Sequence, residues 1–97
     1  MSHFNKLTPA EAERLALLSE ELGEATQAIG KILRHGYEST HPDGGPTNRE
    51  ALEREIGDIR CALRLLCDAG DLNNGAIELA SGRKSVTVKK YLHHQPV

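Results

Sequence analysis

Two apolar stripes, each stepping by three and four residues, leave this chain few folds other than paired helices. The first runs through Leu15, Leu18, Leu22, Ala25, Ile29 and Ile32. Ahead of it stands Thr8-Pro9-Ala10-Glu11, in which Thr8 can cap a helix, Pro9 suits the first helical position and Glu11 completes a capping box. Gly36 is the natural stop, so a helix is predicted over about 9–34. The second stripe is Leu52, Ile56, Ile59, Leu63 and Leu66, preceded by the same box in Thr47-Asn48-Arg49-Glu50 and closed by Gly70. It predicts a helix over about 48–69. Two long helices joined by one loop pack antiparallel. The loop, 37–46, is dense in Gly, Pro, Asp and Ser and longer than two packed helices require, which fits either a plain surface connection or a functional loop.

Beyond Gly70, Asp71 or Asn73 can cap a third helix through Ile77 and Leu79, with Gly82 as an interruption. Val86, Val88 and Leu92 would carry a final helix to about His93, although the β-branched run there is a poor helix former. Phe4, Tyr37 and Tyr91 are the only aromatic residues, so a core must be built from Leu, Ile, Val and Ala. The expected fold class is all-α: an antiparallel helical bundle of two long helices plus one or two shorter C-terminal helices. One domain spans 1–97, with 1–7 as a loose lead-in. A lone helical chain of 97 residues buries a limited share of its surface, so oligomerisation is expected to complete the bundle.

Charge and cysteine usage narrow the function classes. The net charge of −2, with both signs mixed along the chain, lacks the basic footprint of a nucleic-acid binder. Arg83-Lys84 and Lys89-Lys90 read as a solvated helix face. Cys61 and Cys67 share one predicted helix at a separation of ~9 Å along its axis, too far for a disulfide, and read as reduced, packed thiols of a cytoplasmic protein. Residues 1–7 lack an apolar leader core, and no apolar run approaches a membrane span.

The chemistry is carried by acids on both long helices. Glu20-Glu21-Leu22-Gly23-Glu24 lies in the first and Glu55-Ile56-Gly57-Asp58 in the second. Glu21 and Glu24 stand three residues apart on one face, as do Glu55 and Asp58. Helical angles place both pairs at the margin of an apolar face, beside Leu17 and Ala28 in one helix and Ala51, Ala62 and Leu65 in the other. Four carboxylates facing each other there would repel and raise each other's pKa, and burying them unpaired is expensive. A divalent cation removes both problems. Hard oxygen donors with no accompanying His or Cys favour Mg²⁺, with Mn²⁺ as substitute. Gly23 and Gly57 each sit between the acids, at ~1 kcal/mol apiece in a helix interior, and close helix approach would justify that cost.

These motifs resemble the MazG-type nucleoside triphosphate pyrophosphohydrolases, an all-α superfamily that also holds dimeric dUTPases and phosphoribosyl-ATP pyrophosphatase. Their signature is Glu-x-x-Glu on one helix and Glu-x-x-Asp on the next. The resemblance covers roughly 15–66, with a linking segment on the long side for the family. It implies cleavage between the α- and β-phosphates of a nucleoside triphosphate, giving monophosphate and pyrophosphate. It also implies Glu21, Glu24, Glu55 and Asp58 as Mg²⁺ ligands, with Glu20 orienting or deprotonating the attacking water beside Glu21. A homodimer or homotetramer is implied as well.

Phosphate binding calls for cations, and Lys31, Arg34 and Lys84 are the candidates, with Tyr91 as a contact for the base or a neighbouring subunit. The leading expectation is thus an Mg²⁺-dependent nucleotide pyrophosphohydrolase that clears surplus or non-standard (d)NTPs. The alternative is a catalytically silent helical module that binds metal, nucleotide or a protein partner. Phosphoribosyl-ATP pyrophosphatase activity ranks below both.

Overall fold

The computed structural model describes residues 4–96, so the first three residues of the expected lead-in lie outside it. Among the described residues the fold is all-helical: α1 (Pro9–His35), α2 (Asn48–Asp68) and α3 (Asn74–Thr87), followed by a short 3-10 turn over Val88–Tyr91. Both capping boxes form. The Thr8 hydroxyl accepts from the Glu11 amide at 3.1 Å, and the Glu11 carboxylate accepts from the Thr8 amide at 2.8 Å. Thr47 and Glu50 repeat the arrangement at 3.1 and 2.9 Å. Gly36 and Gly70 follow the two long helices with φ of 88° and 83°, backbone that a residue bearing Cβ adopts only under strain.

Among the described residues, α1 and α2 are the most extensively packed pair of elements. Their contacts fix the direction: Arg14 meets Asp71, Glu24 meets Glu55, and the Asn48 side chain meets the Gly36 carbonyl, so numbers rise on one helix as they fall on the other. The helices therefore form an antiparallel hairpin. Its tightest layer consists of Ala25, Ala28, Ala62 and Leu66, and Leu66 is the largest fully buried side chain among the described residues. Three alanines on facing helices let the backbones approach closely. At the open end the Arg14 guanidinium clamps Asp71 through two bonds of 2.6 and 3.1 Å, which holds the Asp71 carboxyl below its usual range.

Four expectations need correction. The stripe predicted for the core of α1 is only partly inside: Ala25 is buried and Leu18 and Ile32 half-buried, but Leu15, Leu22 and Ile29 stay exposed, and Ala28 from outside the stripe joins the seam. Gly82 does not interrupt α3, whose Asn73 cap accepts from the Ala76 amide at 2.8 Å. The final helix expected through Val86, Val88 and Leu92 to about His93 is not separate: Val86 lies in α3, and the run ends as the 3-10 turn Val88–Tyr91, after a β-branched stretch in which the Thr87 hydroxyl bonds back to the Arg83 and Lys84 carbonyls. Cys61 and Cys67 are free, as expected, but Cys61 is exposed rather than packed.

α3 packs closely only on the 3-10 turn that follows it. The radius of gyration is 17.1 Å, where a compact chain of this length has ~12–13 Å. Among the described residues no helix is long and apolar enough to cross a membrane.

Candidate metal centre

The hairpin brings all four predicted acids together. One carboxylate oxygen from each of Glu21, Glu24, Glu55 and Asp58 lies within 4.8 Å of the others. Glu21 and Glu24 rise from adjacent turns of α1, Glu55 and Asp58 from adjacent turns of α2, and the alanine seam sets the helices near enough for the side chains to meet. Two of the oxygens are orphaned: Glu21 Oε2 and Glu55 Oε2 are buried and accept no hydrogen bond. A buried acceptor without a donor is costly.

Electrostatics agree with the geometry. Desolvation pushes the Glu21 carboxyl up first, and Glu24, Asp58 and Glu20 push it further. Glu24 is raised by its contact with Glu55, through a shared hydrogen bond and through charge repulsion, with desolvation behind these. A cation among these oxygens would displace the proton that the raised Glu24 carboxyl holds. The donor set is all oxygen, with no imidazole or thiolate among the four, and this fits a hard divalent cation.

The sign of the pH dependence follows. A carboxyl raised in the fold holds its proton more tightly folded than unfolded, so Glu21 and Glu24 destabilise the metal-free protein as pH rises from 4.5 through their raised values. Glu50 and Asp71 are lowered, by the Thr47 bonds and by Arg14; their stabilisation is present above 4.5 and 3.8 respectively and is lost as pH falls through their lowered values. Thermal melts in EDTA should therefore show a midpoint that declines as pH rises above 4.5. Mg²⁺ should flatten that decline. A midpoint that climbs over this range in EDTA would mean that the four acids are not in electrostatic conflict.

The remaining candidates divide. Glu20 is exposed, one residue before Glu21. Lys31 lines a cleft of about 260 Å³ together with Glu24, Gln27, Asn48 and Glu55, which places it beside the acids. Arg34 shares a second cavity with Lys31. Lys84 and Tyr91 are exposed residues of α3 and the 3-10 turn, and neither borders the acid cleft. Gln27 and Asn48 were missed at the sequence level; Asn48 sits one turn before Ala51 on the acid-bearing side of α2, which was the available signal. The helix-approach reading of the glycines is overturned: a Cβ built on Gly23 or Gly57 would meet nothing within 4 Å. Neither residue lies in the α1–α2 seam.

Comparison with known proteins yields no matching family profile, no matching curated protein and no matching solved structure.

Proposed function

We propose that this protein is an Mg²⁺-dependent nucleoside triphosphate pyrophosphohydrolase of the MazG type. The observation that carries the reading is the meeting of both acid motifs in one cluster with two buried, unpartnered oxygens. Glu21, Glu24, Glu55 and Asp58 would hold the cation. When bound, Mg²⁺ supplies neutralising charge to phosphate oxygens and lowers the pKa of a water. Water attacks the α-phosphorus, the bridging bond to the β-phosphate breaks, and pyrophosphate leaves with the nucleoside monophosphate as the second product. Glu20, exposed beside Glu21, is assigned to orient that water and take its proton. Lys31 offsets phosphate charge at the edge of the cleft.

A homo-oligomer belongs to the same proposal. Leu15, Leu22 and Ile29 on α1 and Ile56 on α2 are exposed, and helical geometry puts them on the flank of the hairpin away from Glu24, Asp58 and Lys31. A second copy covering that flank would complete a helical bundle while leaving the acids accessible. Lys84 and Tyr91, exposed and outside the lining of the acid cleft, would then be available to a neighbouring copy.

Incubation with Mg²⁺ and a panel of ribo- and deoxynucleoside triphosphates should release pyrophosphate and monophosphate in equal amounts, and EDTA should abolish this. Release of inorganic phosphate alone contradicts the proposal. Binding of Mg²⁺ and nucleotide without turnover of any substrate selects the silent-module alternative.

A further inference from the structure

The loop between the long helices is built, not slack. The Asn48 amide donates to the Ser39 carbonyl and the Arg49 amide to the Tyr37 carbonyl, each at 2.9 Å. The Asn48 side chain donates to the Gly36 carbonyl at 3.1 Å, and Thr40 bridges to Thr47. Arg49 stacks over the Tyr37 ring at 4.3 Å while its Nε bonds Glu38 at 2.8 Å. These ties fold the loop back over the end of α1 and enclose a cavity of about 480 Å³. Lys31, Arg34, His35 and His41 line it, with the hydroxyls of Ser39 and Thr40, and no carboxylate does. Lys31, Asn48 and Ala51 are common to this cavity and to the acid cleft, so the two adjoin.

The sign of the lining is its distinguishing feature. The cavity between α2 and α3 pairs Arg60 and Arg64 with Asp68 and Glu78, and the shallow one around Ile56 pairs Arg60 with Glu53. Only the loop cavity, among these, has cationic side chains and no carboxylate in its lining, although the Asp43 carboxylate stands 3.6 Å from His41 Nδ1 just outside it. Lys31 and Arg34 are in no ion pair among the described residues. The Asp43 amide donates to His41 Nδ1 at 3.1 Å, so the proton of the neutral ring is on Nε2, which is left as a donor. The first amides of α2 are already used by the loop and by Thr47, so any attraction for an anion comes from side chains rather than from the helix end.

We infer that the loop cavity is a phosphate-anion site that receives the pyrophosphate end of a nucleoside triphosphate whose α-phosphate lies at the acid cluster. The inference rests on the pyrophosphohydrolase reading for the identity of the substrate, and on the charge and position of the cavity for the anion. The layers of Glu24 and Lys31 are seven residues apart on one helix, ~10 Å along its axis, and Lys31 lines both cavities, so it bridges them. Acids at one end and cations at the other orient a polyphosphate chain in one sense: its metal-bound part at the carboxylates, its free terminus under the loop.

The test is calorimetric titration of inorganic pyrophosphate into the full-length protein in EDTA, alongside nucleotide turnover in Mg²⁺. Pyrophosphate should bind without divalent metal, and Arg34→Gln should weaken it about tenfold, as loss of one charge-assisted contact does. His41→Asn should weaken it by a smaller factor, and Glu24→Gln should not weaken it at all. Circular dichroism verifies that each variant is folded. Absence of binding to the wild type, or equal binding by wild type and Arg34→Gln, overturns the inference. Turnover with an unchanged KM in Arg34→Gln also overturns it while leaving the pyrophosphohydrolase reading intact. Arg34-dependent binding of pyrophosphate without hydrolysis of any nucleotide supports the anion site and refutes that reading.

Discussion

Glu21→Gln is expected to lower pyrophosphate release by about 100-fold or more, a loss that even outer-shell partners of a metal can reach, and to raise the melting midpoint of the metal-free protein. The two effects have one cause. Glu21 carries a buried oxygen that accepts no hydrogen bond, and desolvation together with Glu24, Asp58 and Glu20 raises its pKa. The amide keeps the shape and removes the charge, so the fold would relax while the proposed cation would lose a ligand. Asp58→Asn separates the effects: its side chain is exposed and its charge raises Glu21 only behind desolvation and Glu24, so turnover should fall while the metal-free midpoint rises by less than for Glu21→Gln. Pyrophosphate release and thermal melts in EDTA measure the two quantities. A lower metal-free midpoint for Glu21→Gln would show that the carboxylate stabilises the fold and that no cation is needed to explain it.

Replacing Leu22 and Ile29 together by Glu is expected to convert an oligomer into a monomer. Both side chains remain nearly half exposed in the single chain, at 49 % and 45 %. Covering what is still open contributes about 1 kcal/mol for each, and a two-fold interface counts each side chain twice. The pair is then worth about 4 kcal/mol, roughly a thousandfold in dissociation constant before the repulsion of the introduced charges is added. Light scattering at micromolar concentration reads the change. A wild type already monomeric there would refute the oligomer. The substitution lies on the flank opposite Glu24 and Lys31, so Mg²⁺ binding to the isolated hairpin should survive it.

What the sequence disclosed and what it concealed divide along physical lines. Thr8 with Glu11 and Thr47 with Glu50 marked both helix starts, because a capping box is local chemistry that needs no tertiary partner. The acid quartet was legible for a related reason: its spacing within each helix is rigid, and one antiparallel pairing brings the two halves level. Which stripe would be buried was not legible. Leu15, Leu22 and Ile29 repeat at seven-residue intervals like a core stripe, and periodicity cannot tell a face meant for the chain's own partner helix from one left for another copy. Small side chains decided it, since Ala25, Ala28 and Ala62 offer the closest approach and the seam turned towards them. The loop cavity was hidden for the opposite reason. It depends on bonds such as Asn48 to Gly36 and on the Arg49–Tyr37 stack, which join residues with no common pattern. Gly23 and Gly57 have no explanation within the single chain.

The acid quartet straddles the single turn of the hairpin, two members before the loop and two after it. A cation held by all four would therefore act as a reversible cross-link, closing a circuit of chain from Glu24 to Glu55 much as a disulfide closes a loop and restricting the unfolded ensemble in the same way. Catalytic competence and chain closure would then be one event. A copy that lost its ion would lose activity and its internal staple together, which makes the metal-free form the natural entry point for unfolding and turnover of the protein in the cell.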